Sequence, residues 1–337
     1  MVPYFPNLNG LRFVAALVVV LHHVAMQKAE LGYASAWDSP VVRQAGGLAV
    51  TFFFVLSGFL ITHLLLKERA EHGRVDVGRF YLRRVLRIWP LYFGVVALAF
   101  AVVPGWLPGT APWPGFGVLA LYLFFLPNFL APSLPTVPYA GHLWSIGVEE
   151  QFYLLWPWLV RRGVDVAQLC ALAVLWFLVL RSGMQVAVQF LHVGGEWVPR
   201  AQYLLERTRI DCMAMGGLGA AWLAAGKARA LLARPVFWGA CLAVPLLLWT
   251  DLDLWAYRTD VFAALFLVLI AQFAYRPEAV PNLERRPLVY LGKISYGLYM
   301  LHPFAIGLCL AVMRRLAPAA IDWGLAPAAV ALTVVLA

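Results

Sequence analysis

The chain has 337 residues, 63% hydrophobic and 13% charged, with a mean hydropathy of +0.78. That composition excludes an ordinary soluble domain and points to a protein that lives in a bilayer. The formal net charge of +9 could suggest nucleic acid, but the basic residues lie between apolar runs, not along one face, so they read as topology signals with anionic lipid or an anionic cytoplasmic substrate as partners.

The first apolar run, 11–27, contains Arg12, His22 and His23. An ionisable group at membrane depth costs at least about 2.5–3.5 kcal/mol on insertion scales and usually faces a polar cavity where it works. His23 lies eleven positions after Arg12. In a helix that is three turns plus about 20°, so the two share a face about 16 Å apart along the axis, with His22 about 100° off it. A snorkelling Arg with an interfacial His pair is the plainer alternative. The run is too polar at its far end, and lacks the small-residue cleavage site, to be a removable signal peptide. It is expected to stay as a span.

The second run, 47–66, carries Thr51, Ser57-Gly58 and Thr62. Small residues here permit close helix approach, the favoured reading, with a substrate contact by Ser57 as the minority one. The third run, 88–104, follows a basic loop that ends in Arg83-Arg84-Val85-Leu86-Arg87. Arg84 and Arg87 are i,i+3 and Arg83 and Arg87 i,i+4, so three guanidinium groups cluster at its mouth. That cluster suits bidentate phosphate binding. It suits a positive-inside anchor equally well.

Residues 115–131 are apolar, and no charged residue occurs between Gly105 and Gly141. The flanks are rich in proline: Pro104, Pro108, Pro112, Pro114, Pro127, Pro132, Pro135 and Pro138. Counting 115–131 as a span would put Arg161-Arg162 outside and invert every later loop, so it is expected to be re-entrant or interfacial. The next run, 145–160, opens with two carboxylates. Ser145, Glu149 and Tyr153 are spaced by four and share a face. Ser145 capping with a Glu explains one carboxylate better than two, so Glu149 is read as functional. Further runs at 166–185, 210–226, 236–250, 257–275, 290–313 and 323–337 complete ten spans with both ends cytoplasmic. In the ninth, Ser295, Tyr299 and His302 share a face.

This arrangement places sixteen of the 26 basic residues on the cytoplasmic side. Fourteen Trp and thirteen Tyr suit interfacial belts. Cys170, Cys212, Cys241 and Cys309 are scattered, so neither a disulfide framework nor a metal site is expected. No internal repeat supports an inverted-repeat transporter. The expected fold is all-α, a polytopic helical bundle of about ten transmembrane helices forming one membrane-embedded domain over 1–337.

Five blocks, spread over residues 7–303, resemble the acyltransferase-3 family of integral membrane O-acyltransferases. They are Asn9-Gly10-Leu11-Arg12 with His23; Phe53 to Thr62; Phe80 to Pro90; His142-Leu143-Trp144-Ser145 through Glu149-Glu150-Gln151-Phe152-Tyr153; and Ile294 to Tyr299. The resemblance implies transfer of an acyl group, usually acetyl, from cytoplasmic acyl-CoA to a hydroxyl of a cell-surface carbohydrate or lipid-linked glycan. The bacterial inner membrane is the expected location, the Lys/Arg bias puts the N-terminus in the cytoplasm, and the scattered His and Cys build no metal site. Arg12 and His23 match the family's Arg-x10-His pair, Arg84 and Arg87 its Arg-x-x-Arg, and Ser145 and Glu149 its Ser-x-x-x-Glu.

On that basis Arg84 and Arg87, with Arg83, hold the CoA phosphates. His23 acts as general base or carries the acyl group, Glu149 orients His23, and Arg12 stabilises the oxyanion. Ser57, Trp144, Ser145, Tyr153, Tyr299 and His302 are the expected substrate contacts. Two departures are visible. Asn9 stands where the family often has Asp, which suggests a cap. The closing Glu-x-Pro segment is missing because the chain stops at Ala337 inside an apolar run, which suggests truncation, and no appended periplasmic esterase-like domain is expected. The competing class is a proton-coupled carrier or exporter of a lipid-linked sugar, which would also place Arg, His and Glu in spans.

Overall fold

The computed structural model describes residues 5–103, 113–130, 134, 137–254 and 257–337. Among them every regular element is a helix and none is a strand. In chain order the helices are α1 (Leu8–Glu30), α2 (Pro40–His72), α3 (Val77–Ala97), α4 (Phe116–Leu123), α5 (Trp144–Arg161), α6 (Val166–Gln189), α7 (Trp197–Arg207), α8 (Ile210–Ala224), α9 (Arg234–Thr250), α10 (Arg258–Tyr275), α11 (Arg286–Lys293), α12 (Ser295–Leu316) and α13 (Ile321–Leu336).

The chain is an integral membrane protein. Seven stretches are long and apolar enough to cross: 8–30, 40–72, 77–102, 166–189, 258–275, 295–316 and 318–336. The other three expected spans are the helices α5, α8 and α9, which are shorter or more polar, so the count of ten is approximate. Two boundaries differ from the sequence reading. α2 runs 33 residues, well past the expected 47–66, because its polar ends stay helical beyond the apolar stretch. The expected span 290–313 breaks at Ile294, so α11 is separate and the long helix starts at Ser295. Within 115–131 lies α4, of only eight residues. At about 1.5 Å per residue it is far too short to cross. The expected flanks Pro104, Pro108, Pro112, Pro132 and Pro135 lie outside the described residues.

The helices form two compact units, one of residues 1–53, 229–253 and 264–337, the other of 54–228 and 254–263. In the first, α1 packs on α11, α12 and α13. Val24, Ile306, Leu310, Ile321, Leu325 and Ala329 make its apolar seam. Gly292 lies so close to the backbone of Asn9 that any Cβ would overlap it. The Asn7 carboxamide accepts the Leu283 N–H at 2.7 Å, tying the start of α1 to the loop before α11. At the other end of α1, Lys28 donates to the Asp322 carbonyl at 2.6 Å.

In the second unit, α2 and α8 cross with backbone nearly touching backbone. A Cβ at Gly58 would fall on the Met213 carbonyl, and one at Gly216 on the Val55 carbonyl. That is the close approach that small residues allow between helices in lipid, where dispersion between backbones replaces a hydrophobic drive. Beside the crossing, the Trp156 indole donates to Thr62 Oγ1 at 2.9 Å. Arg181 of α6 bridges Asp211 of α8 and Asp260 in the first turn of α10, the latter at 2.7 Å. Asp211 is 1% exposed. Its Oδ1 is buried without a hydrogen-bond partner.

Candidate active site

The first unit gathers three histidines. On α1, His23 sits one turn after Val19, and its Nδ1 lies 2.9 Å from the Val19 carbonyl. A carbonyl can only accept, so Nδ1 carries the proton and the neutral ring keeps its lone pair on Nε2. The same holds for His302, whose Nδ1 donates to the Tyr299 carbonyl at 2.7 Å, and for His22, whose Nδ1 donates to the Val42 carbonyl at 2.8 Å. The His23 ring centroid stands 4.7 Å from that of His302 and 5.0 Å from that of His22. Tyr299 closes one side, 5.9 Å from the His302 ring and 6.3 Å from Phe53. Arg12 is half-buried on the same helix as His23, about 16 Å along the axis.

The second unit holds a chain of hydroxyls and carboxylates. The Tyr153 hydroxyl donates to Glu149 Oε2 at 3.1 Å. Its one proton being used there, it accepts from the Ser57 hydroxyl, which lies in close contact with it. The guanidinium of Arg84 stands over both Phe80 and Tyr153, 5.8 Å from each ring, with its Nε buried and without a hydrogen-bond partner. The adjacent Glu150 turns elsewhere, and its Oε2 accepts from the Trp89 indole at 2.9 Å. The doubled carboxylate of α5 is thus divided, Glu149 toward Tyr153 on its own helix and Glu150 toward Trp89 of α3. α3, which presents Arg83, Arg84 and Arg87, begins at the N-cap Asp76. The Arg79 N–H it accepts, and then the nearby arginine charges, hold that carboxyl below its ordinary value.

Several expectations change here. Asn9 lies inside α1, and the cap position belongs to Asn7. Ser145 does not cap α5: a 3-10 turn, Gly141–Leu143, leads in, and its hydroxyl donates back to the His142 carbonyl at 3.1 Å. Arg83 pairs with Glu68 at 3.8 Å. The group that orients His23 through Nδ1 is its own helix's carbonyl, whereas the described partner of Glu149 is Tyr153. Trp144 lies under the guanidinium of Arg207 at 4.7 Å and beside Phe54. The His23–His302 pair is invisible in the sequence because 279 positions separate them in the numbering, although both are ionisable groups inside apolar helices. Among the described residues no cluster of three His, Cys, Asp or Glu is arranged to hold a metal.

The profile of a family described as "Acyltransferase domain" matches residues 5–337. The O-acetyltransferase OatA of Staphylococcus aureus is 28% identical over 330 residues, covering 89% of this chain and 50% of that protein. The peptidoglycan O-acetyltransferase OatA of Listeria monocytogenes is 26% identical over 324 residues, covering 89% and 49%. The chain spans about half the length of these curated relatives. No solved structure matches it.

Proposed function

This chain belongs to the acyltransferase family whose profile it matches, and from that premise we propose that it moves an acetyl group from acyl-CoA to a hydroxyl of a cell-surface glycan, with peptidoglycan as the first acceptor to try. The observation that carries this reading is the His23 imidazole, set inside an apolar helix with Nδ1 committed to a carbonyl, which leaves the lone pair of the neutral ring on Nε2. Such a nitrogen takes a proton from a hydroxyl. In this reading Arg12 steadies the oxyanion that forms at the thioester carbonyl. Arg84 and Arg87 grip the donor's phosphates, and Glu149 with Tyr153 and Ser57 supplies a polar contact for substrate. Tyr299 and His302 in the first unit, and Trp144 and Ser145 in the second, are further substrate contacts in this reading.

Purified protein in proteoliposomes, given acetyl-CoA and oligosaccharides containing N-acetylmuramic acid, is expected to release CoA in step with acetylated sugar. A carrier would release none. Replacing Arg84 and Arg87 together by Ala is expected to raise KM for acetyl-CoA at least about tenfold with a smaller change in kcat, because phosphate pairing is mostly ground-state binding. Unchanged donor affinity would leave these arginines as lipid anchors.

The same reading puts the N-terminus in the cytoplasm of a bacterial inner membrane, following the Lys/Arg bias. A single cysteine at Arg161 should then react with an impermeant maleimide only from the cytoplasmic side. Labelling from outside would mean that the 115–131 region crosses after all.

A further inference from the structure

We propose that Arg207 is a specificity residue on the acceptor side: its guanidinium, clamped on Trp144 and Tyr203, receives a carboxylate carried by the acceptor glycan. The inference rests on the proposed function and names the class of acceptor, an acidic sugar. All three residues belong to the second unit. Tyr203 lies one turn before Arg207 on α7, so the two share a face of that helix. Trp144 is the first residue of α5. The Arg207 guanidinium carbon stands 4.7 Å from the centre of the indole and 5.1 Å from that of the phenol ring. Phe54, itself buried, packs against the same indole at 5.9 Å and holds it in place.

The clamp leaves the guanidinium ready for an anion. Aromatic faces attract the cation but use none of its N–H donors. Among the described residues, Arg207 has neither a hydrogen-bond acceptor nor a carboxylate partner. Arg181, in the same unit, directs its N–H groups at Asp211 and Asp260 instead. Trp144, Tyr203 and Arg207 are all half-buried, so the clamp is not sealed off. Stacking also removes rotamer freedom before any ligand arrives, and less entropy is then lost on binding. One planar fork matches the two oxygens of a single carboxylate in span and in charge. A diphosphate carries more negative charge than one guanidinium balances.

Position along α5 says which substrate meets the clamp. Trp144 opens that helix and Arg161 closes it, about 26 Å away along the axis, close to the depth of a hydrocarbon core. In the proposed topology Arg161 is cytoplasmic, so Arg207 stands at the outer end. The donor's arginine, Arg84, lies over Tyr153, about 14 Å further along the same helix. An anion received at the outer end is therefore the acceptor's, not the donor's phosphate.

The test compares muramyl oligosaccharides bearing a free lactyl carboxylate with the same compounds converted to the carboxamide, in proteoliposomes of wild type and Arg207→Gln. In wild type the KM for the acid is expected about 10- to 100-fold below that for the amide, the range for one charge-assisted pair. In Arg207→Gln the acid's KM should rise to that of the amide, with KM for acetyl-CoA within about twofold, because removing either partner removes the coupling. Arg207→Lys keeps the charge without the fork and should discriminate less than wild type, which decides the matter if the Gln variant does not fold. Equilibrium binding of the radiolabelled acid and amide reads the same ranking without turnover. A wild type that treats acid and amide alike overturns the inference, and so does full discrimination in either folded variant. An equal loss for both acceptors also overturns it and makes Arg207 a lipid anchor or a packing residue. Binding that discriminates with no transfer at all means that the proposed function has failed while the carboxylate site stands.

Discussion

Replacing His23 by Ala is expected to abolish acetyl transfer, by about 10²–10⁴-fold in kcat, while His22→Ala keeps most of it. The two residues are adjacent and identical, so composition and local hydropathy treat them alike. Their surroundings do not. His23 is held by its own helix at Val19 and packs against His302, whereas His22, about 100° round the helix, turns to Val42 and Trp37. Donor affinity should survive in His23→Ala, because the imidazole acts on the acceptor proton. The measurement is steady-state transfer in proteoliposomes with both substrates varied. If His22→Ala is the dead variant, the face of α1 assigned to chemistry is wrong and the role of Arg12 falls with it. If both variants stay active, the general-base mechanism is wrong.

Arg181→Ala should destabilise the protein by about 3–5 kcal/mol, the range for removing one partner of a buried pair. Arg181 is 11% exposed and faces two carboxylates, Asp211 at 1% and Asp260 at 9%. Removing the guanidinium leaves both carboxylates enclosed, and three helices lose their common tie. Its position over the Phe177 ring adds a stacking contact that Lys would keep only in part. Arg181→Lys is therefore expected to fall between wild type and Ala in a detergent melting curve. An Ala variant that melts within a degree or two of wild type would show that the triad contributes no net stability. Replacing all three charges by neutral residues of similar volume should be milder than losing the Arg alone.

The fold class was legible because a bilayer imposes it: runs of apolar residues of spanning length admit only helices. The parity argument that kept 115–131 from crossing rested on the Arg161-Arg162 pair, and α4 is too short to span. Boundaries were less legible, since polar residues at the ends of α2 continue the helix and hydropathy cannot see that. Site residues on one helix, such as Glu149 and Tyr153, were readable from spacing by four. Contacts between helices were not. The link from Tyr153 to Ser57, the Trp89–Glu150 bond, the His23–His302 pair and the Arg181 triad all join distant positions, and a single sequence does not say which faces meet.

At the α2–α8 crossing, Gly58 and Gly216 each leave room for nothing larger than hydrogen. A saturation scan scored only by growth or glycan acetylation would therefore rank these two positions with the chemistry, although neither presents a functional group. Dead variants there would report misassembled helices, and a parallel readout of protein abundance would separate them from variants such as His23→Ala, which should accumulate at normal levels and do nothing.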